Sequence, residues 1–263
     1  MTANPLEARY EFALGLIKEA GALALQYSSR LGSLTIRSKG LQDMASEADT
    51  NTELLIRERL KASFPDDGFL GEETGATTYD RAQGIWVVDP IDGTQPFVSG
   101  MSSWCVSIAF VRDGELQFGM VYSPPRDELF AGFQDRPATL NGQPVKLHPA
   151  TDIKHGIMGI GYSTRITVGD FLPMFERVLE AGGMFYRDGS GALTLCYVAC
   201  GRLIGYVEPH INSWDCLGAI AVIRAAGGMT SNFLANDGLF KGNSLVAGPP
   251  ALYAQLEALL HGG

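Results

Sequence analysis

Residues 86–94 read Trp86-Val87-Val88-Asp89-Pro90-Ile91-Asp92-Gly93-Thr94. Aromatic and β-branched residues favour a pleated strand, whereas Asp-Pro and Asp-Gly favour a turn. An apolar strand therefore runs directly into two carboxylates, a glycine and a hydroxyl. A strand end projects Asp89 and Asp92 from a rigid support, and Pro90 fixes one backbone torsion between them, so both can converge on a hard cation. If Gly93-Thr94 opens a short helix, its free N–H groups face the same point and a phosphate can dock there. Taken alone, the same residues also serve as an ordinary turn that closes a strand.

Working outward, Ile85–Val88 begins a run of strand-like segments that continues through Trp104–Arg112, Gln117–Ser123 and Glu128–Phe133. Asp113-Gly114 is a hairpin turn signal, so this part predicts a mostly antiparallel sheet. Upstream, Leu6, Tyr10, Ala13, Ile17, Ala20, Ala24 and Tyr27 recur at helical spacing, which predicts an amphipathic helix ending near Ser28. A second helix is expected from Asp49 or Thr50, with Thr50-Asn51-Thr52-Glu53 as a capping box, and it stops at Pro65. Downstream of a turn at Asn141-Gly142, the segment Leu147–Lys154 is the expected boundary between an N-terminal lobe (1–150) and a C-terminal lobe (151–263). The second half alternates: a strand at Ile157–Tyr162, helices at Val168–Ala181 and Gly191–Cys200, a strand at Leu203–Glu208, a buried helix at Cys216–Ala226 and a last helix at Ala251–Leu260.

The chain has 263 residues, 46% hydrophobic and 19% charged, enough apolar material for a substantial core. A formal charge of -9 argues against nucleic acid or an anionic membrane as partner, since both would repel such a surface. No window approaches the ~20 apolar residues of a membrane helix. Met1–Glu11 lacks a basic stretch followed by an apolar core, which points to a cytoplasmic location. Cys105, Cys196, Cys200 and Cys216 form no CxxC pair, and His148, His155, His210 and His261 are scattered. Buried thiols are expected, with neither a zinc set nor a histidine relay.

Further carboxylates stand at Gly71-Glu72-Glu73-Thr74 and at Trp214-Asp215, the latter ahead of Ala226-Gly227-Gly228. Each has a plain structural reading, loop charge for the first and a helix N-cap for Asp215. Taken in order with Asp89-Pro90-Ile91-Asp92-Gly93-Thr94, however, they look like the successive signatures of the inositol monophosphatase family. Asp43-Met44-Ala45-Ser46-Glu47-Ala48-Asp49 is similar to that family's earlier element, and Glu208 lies seven residues before Asp215 as its pattern requires. The resemblance covers roughly residues 39–228.

The resemblance implies an α/β (α+β) fold, a layered α/β/α/β/α sandwich of the inositol monophosphatase and fructose-1,6-bisphosphatase type, assembled as a homodimer. It implies that Glu72, Asp89 and the Ile91 carbonyl hold one magnesium while Asp89, Asp92 and Asp215 hold a second, with a third, weaker ion beside Glu72. Oxygen ligands without histidine agree in kind with magnesium. It also places Asp49, Glu72 and Thr94 around an attacking water, the Gly93 and Thr94 N–H groups on the phosphate, and Glu208 on a hydroxyl of the organic half. Gly191-Ala192-Leu193 falls near the family's Gly-Thr-Ala or Gly-Ser-Ala triplet, with Asp92, Gly191 and Ala192 on the substrate side. The implied activity is magnesium-dependent, lithium-sensitive hydrolysis of a small-molecule phosphate monoester, foremost inositol monophosphate or a related sugar or polyol phosphate. Histidinol phosphate, fructose 1,6-bisphosphate and nucleoside 3′,5′-bisphosphate are the rival substrates, and Gln95-Pro96-Phe97 matches neither the inositol nor the nucleotide subgroup. The rival of another class is a catalytically silent metal- or ligand-binding regulator.

Overall fold

The structure is a computed structural model that describes residues 5–40 and 43–262, without the side chains of Ser33 and of residues 36–45. Met1–Asn4 of the N-terminal reading and the side chains of Asp43, Met44 and Ala45 in the early motif lie outside the described residues. The first half runs α1 (Pro5–Ser28), β1 (Ile36–Gly40), β2 (Asp43–Ser46), α2 (Glu47–Ser63), β3 (Gly68–Gly71), β4 (Gly75–Ala76), β5 (Ile85–Asp92) and α3 (Thr94–Val98). It continues with β6 (Cys105–Arg112), β7 (Glu115–Ser123), β8 (Glu128–Phe133), β9 (Thr139–Leu140) and β10 (Gln143–Pro144). The second half runs β11 (Ile157–Ile160), α4 (Val168–Glu180), β12 (Met184–Tyr186), α5 (Gly191–Ala199), β13 (Tyr206–Ile211) and α6 (Ser213–Ala225). It closes with β14 (Met229–Thr230), α7 (Gly238–Lys241), β15 (Asn243–Gly248) and α8 (Pro250–His261).

An eight-stranded sheet has the order β10-β9-β8-β7-β6-β5-β3-β4, antiparallel except where β3 pairs β5. A five-stranded sheet has the order β12-β11-β13-β15-β14, with β11 parallel to both of its neighbours. Side chains alternate across a strand, and β5 shows the consequence. Trp86 and Val88 pack with Ile17 and Leu16 of α1 and Ile56 and Leu60 of α2, while Ile85 and Val87 join Leu195 of α5 and Leu217 and Ile220 of α6. The inner faces of α5 and α6 reach Tyr206 and Leu245 of the second sheet, whose outer residues Met158, Val207 and Val246 pack on Val178 of α4 and Leu256 of α8. The layers are therefore α/β/α/β/α.

Three of the element starts that differ from the sequence reading bear on the site. Helix α2 begins at Glu47, because Ser46 is the extended cap residue: its hydroxyl accepts from Ala48 N at 3.1 Å, and Asp49 accepts from Ser46 N at 2.8 Å. The expected Thr50–Glu53 box is not the cap. Helix α6 begins at Ser213 rather than Cys216, and β13 spans Tyr206–Ile211 rather than Leu203–Glu208. Glu208 thus lies inside a strand, 4% exposed, and is not a charge at a strand end.

Helix α6 sits directly on the strand backbones. A Cβ at Gly119 would lie 2.6 Å from the Gly218 carbonyl, and one at Gly132 would lie 2.5 Å from the Ala221 carbonyl. Backbone cannot yield as a flexible side chain does, so overpacking at this seam costs about 1–3 kcal/mol. Gly132→Val is expected to lower the unfolding free energy by that much, seen as a lower urea midpoint at unchanged m in circular dichroism; an unaltered midpoint would show that the helix can lift away freely.

Candidate active site

Residues three apart on a regular strand face opposite sides. Asp89 pairs with Ser107 and Asp92 with Cys105, so three steps on β5 match two on β6. This β-bulge adds one residue and turns both carboxylates to one side. Asp89 Oδ1 accepts from Ile91 N at 2.9 Å, closing a turn over Pro90. The Ile91 carbonyl then accepts from the Thr94 hydroxyl at 3.2 Å. Gly93 has φ 94° and its Cβ position lies 2.7 Å from the Ser103 carbonyl, so only glycine fits there.

One carboxylate oxygen from each of Glu72, Asp89 and Asp215 lies within 4.8 Å of the other two. Glu72 comes from the loop after β3, Asp89 from β5 and Asp215 from the first turn of α6. Three hard, anionic oxygens from rigid elements, with no histidine or thiol among them, suit magnesium or another oxygen-seeking cation.

Asp92 stands outside that triplet. Its Oδ2 accepts from Ser190 Oγ at 2.5 Å, from Ala192 N at 2.7 Å and from Cys105 Sγ at 3.7 Å, and its Oδ1 from Gly191 N at 3.3 Å. The start of α5 is therefore docked on the end of β5. Ala192 is buried beneath this carboxylate and Leu193 packs in the core, so of the expected Gly191-Ala192-Leu193 run only Gly191 lines the cleft. Sequence reading missed Ser190. Its signal was present: Gly189-Ser190-Gly191 has the glycine, hydroxyl, small-residue order two positions earlier.

The Thr94 hydroxyl lies 3.2 Å from Asp49 Oδ1, and Asp49 Oδ2 accepts from Ser46 Oγ at 2.7 Å. Asp49 is fully buried, and burial raises its pKa above the ordinary carboxylate range, against the lowering pull of Ser46 and Thr94. Burial, helped by the charges of Glu72, Asp92 and Asp215, pushes Asp89 well up. Burial and the charge of Asp215 lift Asp92 to about 7, in spite of its Ser190 and Ala192 donors. Glu208 accepts from the Tyr206 hydroxyl at 2.5 Å, and burial lifts it to about 8.

Glu72, Asp92, Gly93, Thr94, Glu208 and Asp215 share a cleft of about 810 Å3 between the sheets. Arg165 and Arg187 stand on its wall, and their charge favours ionised Asp215 and Glu208 respectively. Gln95 and Pro96 line it as well, whereas Phe97 is buried against Trp104. Cys105, Cys196 and Cys216 are buried free thiols whose pKa burial raises further, which makes them poor nucleophiles. Among the described residues no helix is long and apolar enough to cross a membrane.

The model of the inositol monophosphatase family matches residues 6–261. A Nus factor SuhB of Haemophilus influenzae is 30% identical over 256 residues, covering 96% of this chain and 94% of that protein. An inositol-1-monophosphatase of Mesorhizobium japonicum is 34% identical over 217 residues, covering 82% of each. The crystal structure of extragenic suppressor protein suhB from Bartonella henselae superposes with a TM-score of 0.90 at 29% identity, covering 97% of this chain and 99% of that one.

The raised pKa values set the pH response of the metal-free protein. A buried acid that holds its proton to about 7 (Asp92) or 8 (Glu208) binds more protons folded than unfolded above the ordinary carboxylate range. Its contribution to stability is full below that range and is lost as pH rises through the folded pKa. The chelated protein should therefore melt lower at pH 8.5 than at pH 5.5, and Asp92→Asn with Glu208→Gln should flatten the difference. Thermal scans with chelator at both pH values check this; a slope untouched by the double variant would assign it to other groups.

Proposed function

The chain belongs to the inositol monophosphatase family, and from that premise we propose that it hydrolyses a small-molecule phosphate monoester, foremost an inositol, sugar or polyol phosphate, with magnesium and water. The observation that carries this is the carboxylate triplet Glu72, Asp89 and Asp215 beside the Asp49–Thr94 pair. Glu72, Asp89, Asp92, Asp215 and the Ile91 carbonyl would hold two to three magnesium ions. Bound magnesium supplies charge neutralisation of the phosphate dianion, acidification of water and stabilisation of the leaving oxygen.

The chain's own groups do the rest. Thr94 Oγ1 is within reach of both Asp49 Oδ1 and the Ile91 carbonyl, so its single proton is directed inward and its lone pairs toward the cleft. A water against Thr94 can thus pass a proton to the Asp49 side, where burial has made the carboxylate more basic than usual. No protein nucleophile is needed. The Gly93 and Thr94 N–H groups meet a phosphate oxygen, and the absence of a side chain at Gly93 lets the backbone approach.

Glu208 faces the cleft from the second sheet and suits a substrate hydroxyl, with Tyr206 fixing the carboxylate from behind. Phosphate release from a panel of phosphomonoesters, with and without magnesium, tests the proposal; no magnesium-dependent release from any would overturn it. Within that panel Glu208→Ala should lower kcat/KM for the hydroxylated substrate by about 1–3 kcal/mol of lost hydrogen bonding, roughly ten- to a hundredfold. An aryl phosphate without such a hydroxyl should be spared, and equal losses on both would remove Glu208 from specificity.

A further inference from the structure

We infer that Glu53 is a positioning residue for Glu72: a buried carboxylate on α2 that fixes the loop carrying a metal ligand and sets how tightly the site holds its cation. The inference rests on the reading of Glu72 as a metal ligand given above.

Glu53 is fully buried, and among the described residues it takes part in no ion pair. Burying a carboxylate without a cation is costly, and burial raises its pKa. What offsets the cost is the loop after β3. Oε2 accepts from Glu73 N at 2.8 Å and Oε1 from Thr74 N at 2.9 Å, and the Thr74 side chain adds a further hydrogen bond. These N–H groups belong to the two residues that follow Glu72, while Glu72 N itself donates to the Val88 carbonyl at 3.3 Å. The backbone of Glu72 is thereby held on one side by strand pairing and on the other by Glu53.

The fit leaves no slack. A Cβ at Gly71 would stand 2.4 Å from the Glu53 carboxylate, so β3 passes directly over it. Glu53 also lies four residues after Asp49, on the same face of α2 one turn along. One helix therefore holds both the Asp49–Thr94 pair and the Glu72 loop. The capping role that Thr50 and Glu53 offered is taken by Ser46 and Asp49, which leaves Glu53 for this one.

Glu53→Gln keeps the shape but replaces one acceptor oxygen with an amide that faces a backbone donor. Supporting partners behind metal ligands are worth 10–100-fold in metal affinity. We therefore expect the magnesium concentration for half-maximal phosphate release to rise about tenfold, with kcat at saturating magnesium largely recovered. The rise in Tm that magnesium produces in the wild type should shift to the same higher concentrations, a readout independent of turnover. A lower Tm in chelator with an unchanged magnesium requirement would overturn the inference and make Glu53 structural only. Gly71→Ala pushes the carboxylate from the other side and should shift the requirement the same way; if Glu53→Gln does not fold, this variant decides, and an unchanged requirement in it overturns the inference. Absence of any magnesium effect in the wild type, on Tm as on turnover, would instead overturn the metal-site reading itself.

Discussion

Carboxylates gathered at one strand end, most of them buried, are the constraint on which this structure turns. Asp49, Asp89, Asp92 and Glu208 are each at most 6% exposed. Arg165 and Arg187 stand on the cleft wall, while ion pairs away from it join Arg9 to Asp67, Arg59 to Glu19 and Arg202 to Glu128. Burying so much like charge is unfavourable unless protons or cations neutralise it. Apolar residues at these positions would serve stability alone, so the buried acids accord with the proposed cation site.

The architecture serves that requirement by bringing distant segments to one strand end. The bulge at Asp89–Asp92 sets two acids on one side of β5, and the docking of α5 on Asp92 carries the second half of the chain to the same place. Behind the site, Gly119 and Gly132 let α6 lie against strand backbone, which sets the height at which Asp215 meets Asp89. A rigid scaffold matters because site groups misplaced by an ångström lose much of their value.

Much of this was legible in the sequence, and the reasons divide by range. The apolar run into Asp89-Pro90-Ile91-Asp92 carries its local structure with it, since strand propensity and turn chemistry act over a few residues. Hairpins at Asp113-Gly114 and Asn141-Gly142 follow from the same rule, and all four residues take positive φ. Ser190 and Glu53 were not read, because their partners are 98 and about 20 residues away and no local pattern announces such a contact. The cap of α2 was displaced because Thr50–Glu53 and Ser46–Asp49 both satisfy the capping pattern. Only packing, which buries Glu53 under Gly71, chooses between them.

Helix ends supply part of the missing positive charge, and the amount shows what remains. Asp49 and Asp215 each occupy the third position of a helix, α2 and α6, and Asp92 accepts the first N–H groups of α5. Each N-terminus carries roughly half a positive charge, so three offer about one and a half. Against them stand Asp49, Glu72, Asp89, Asp92, Asp215 and Glu208. The helix ends, with Arg165 and Arg187 on the cleft wall, steady these acids only in part: burial above all, with the charge of Asp215, still lifts Asp92 to about 7 and Glu208 to about 8. On the proposed reading, divalent cations would offer the balance that dipoles cannot, at the point where a phosphate's own negative charge would have to be met.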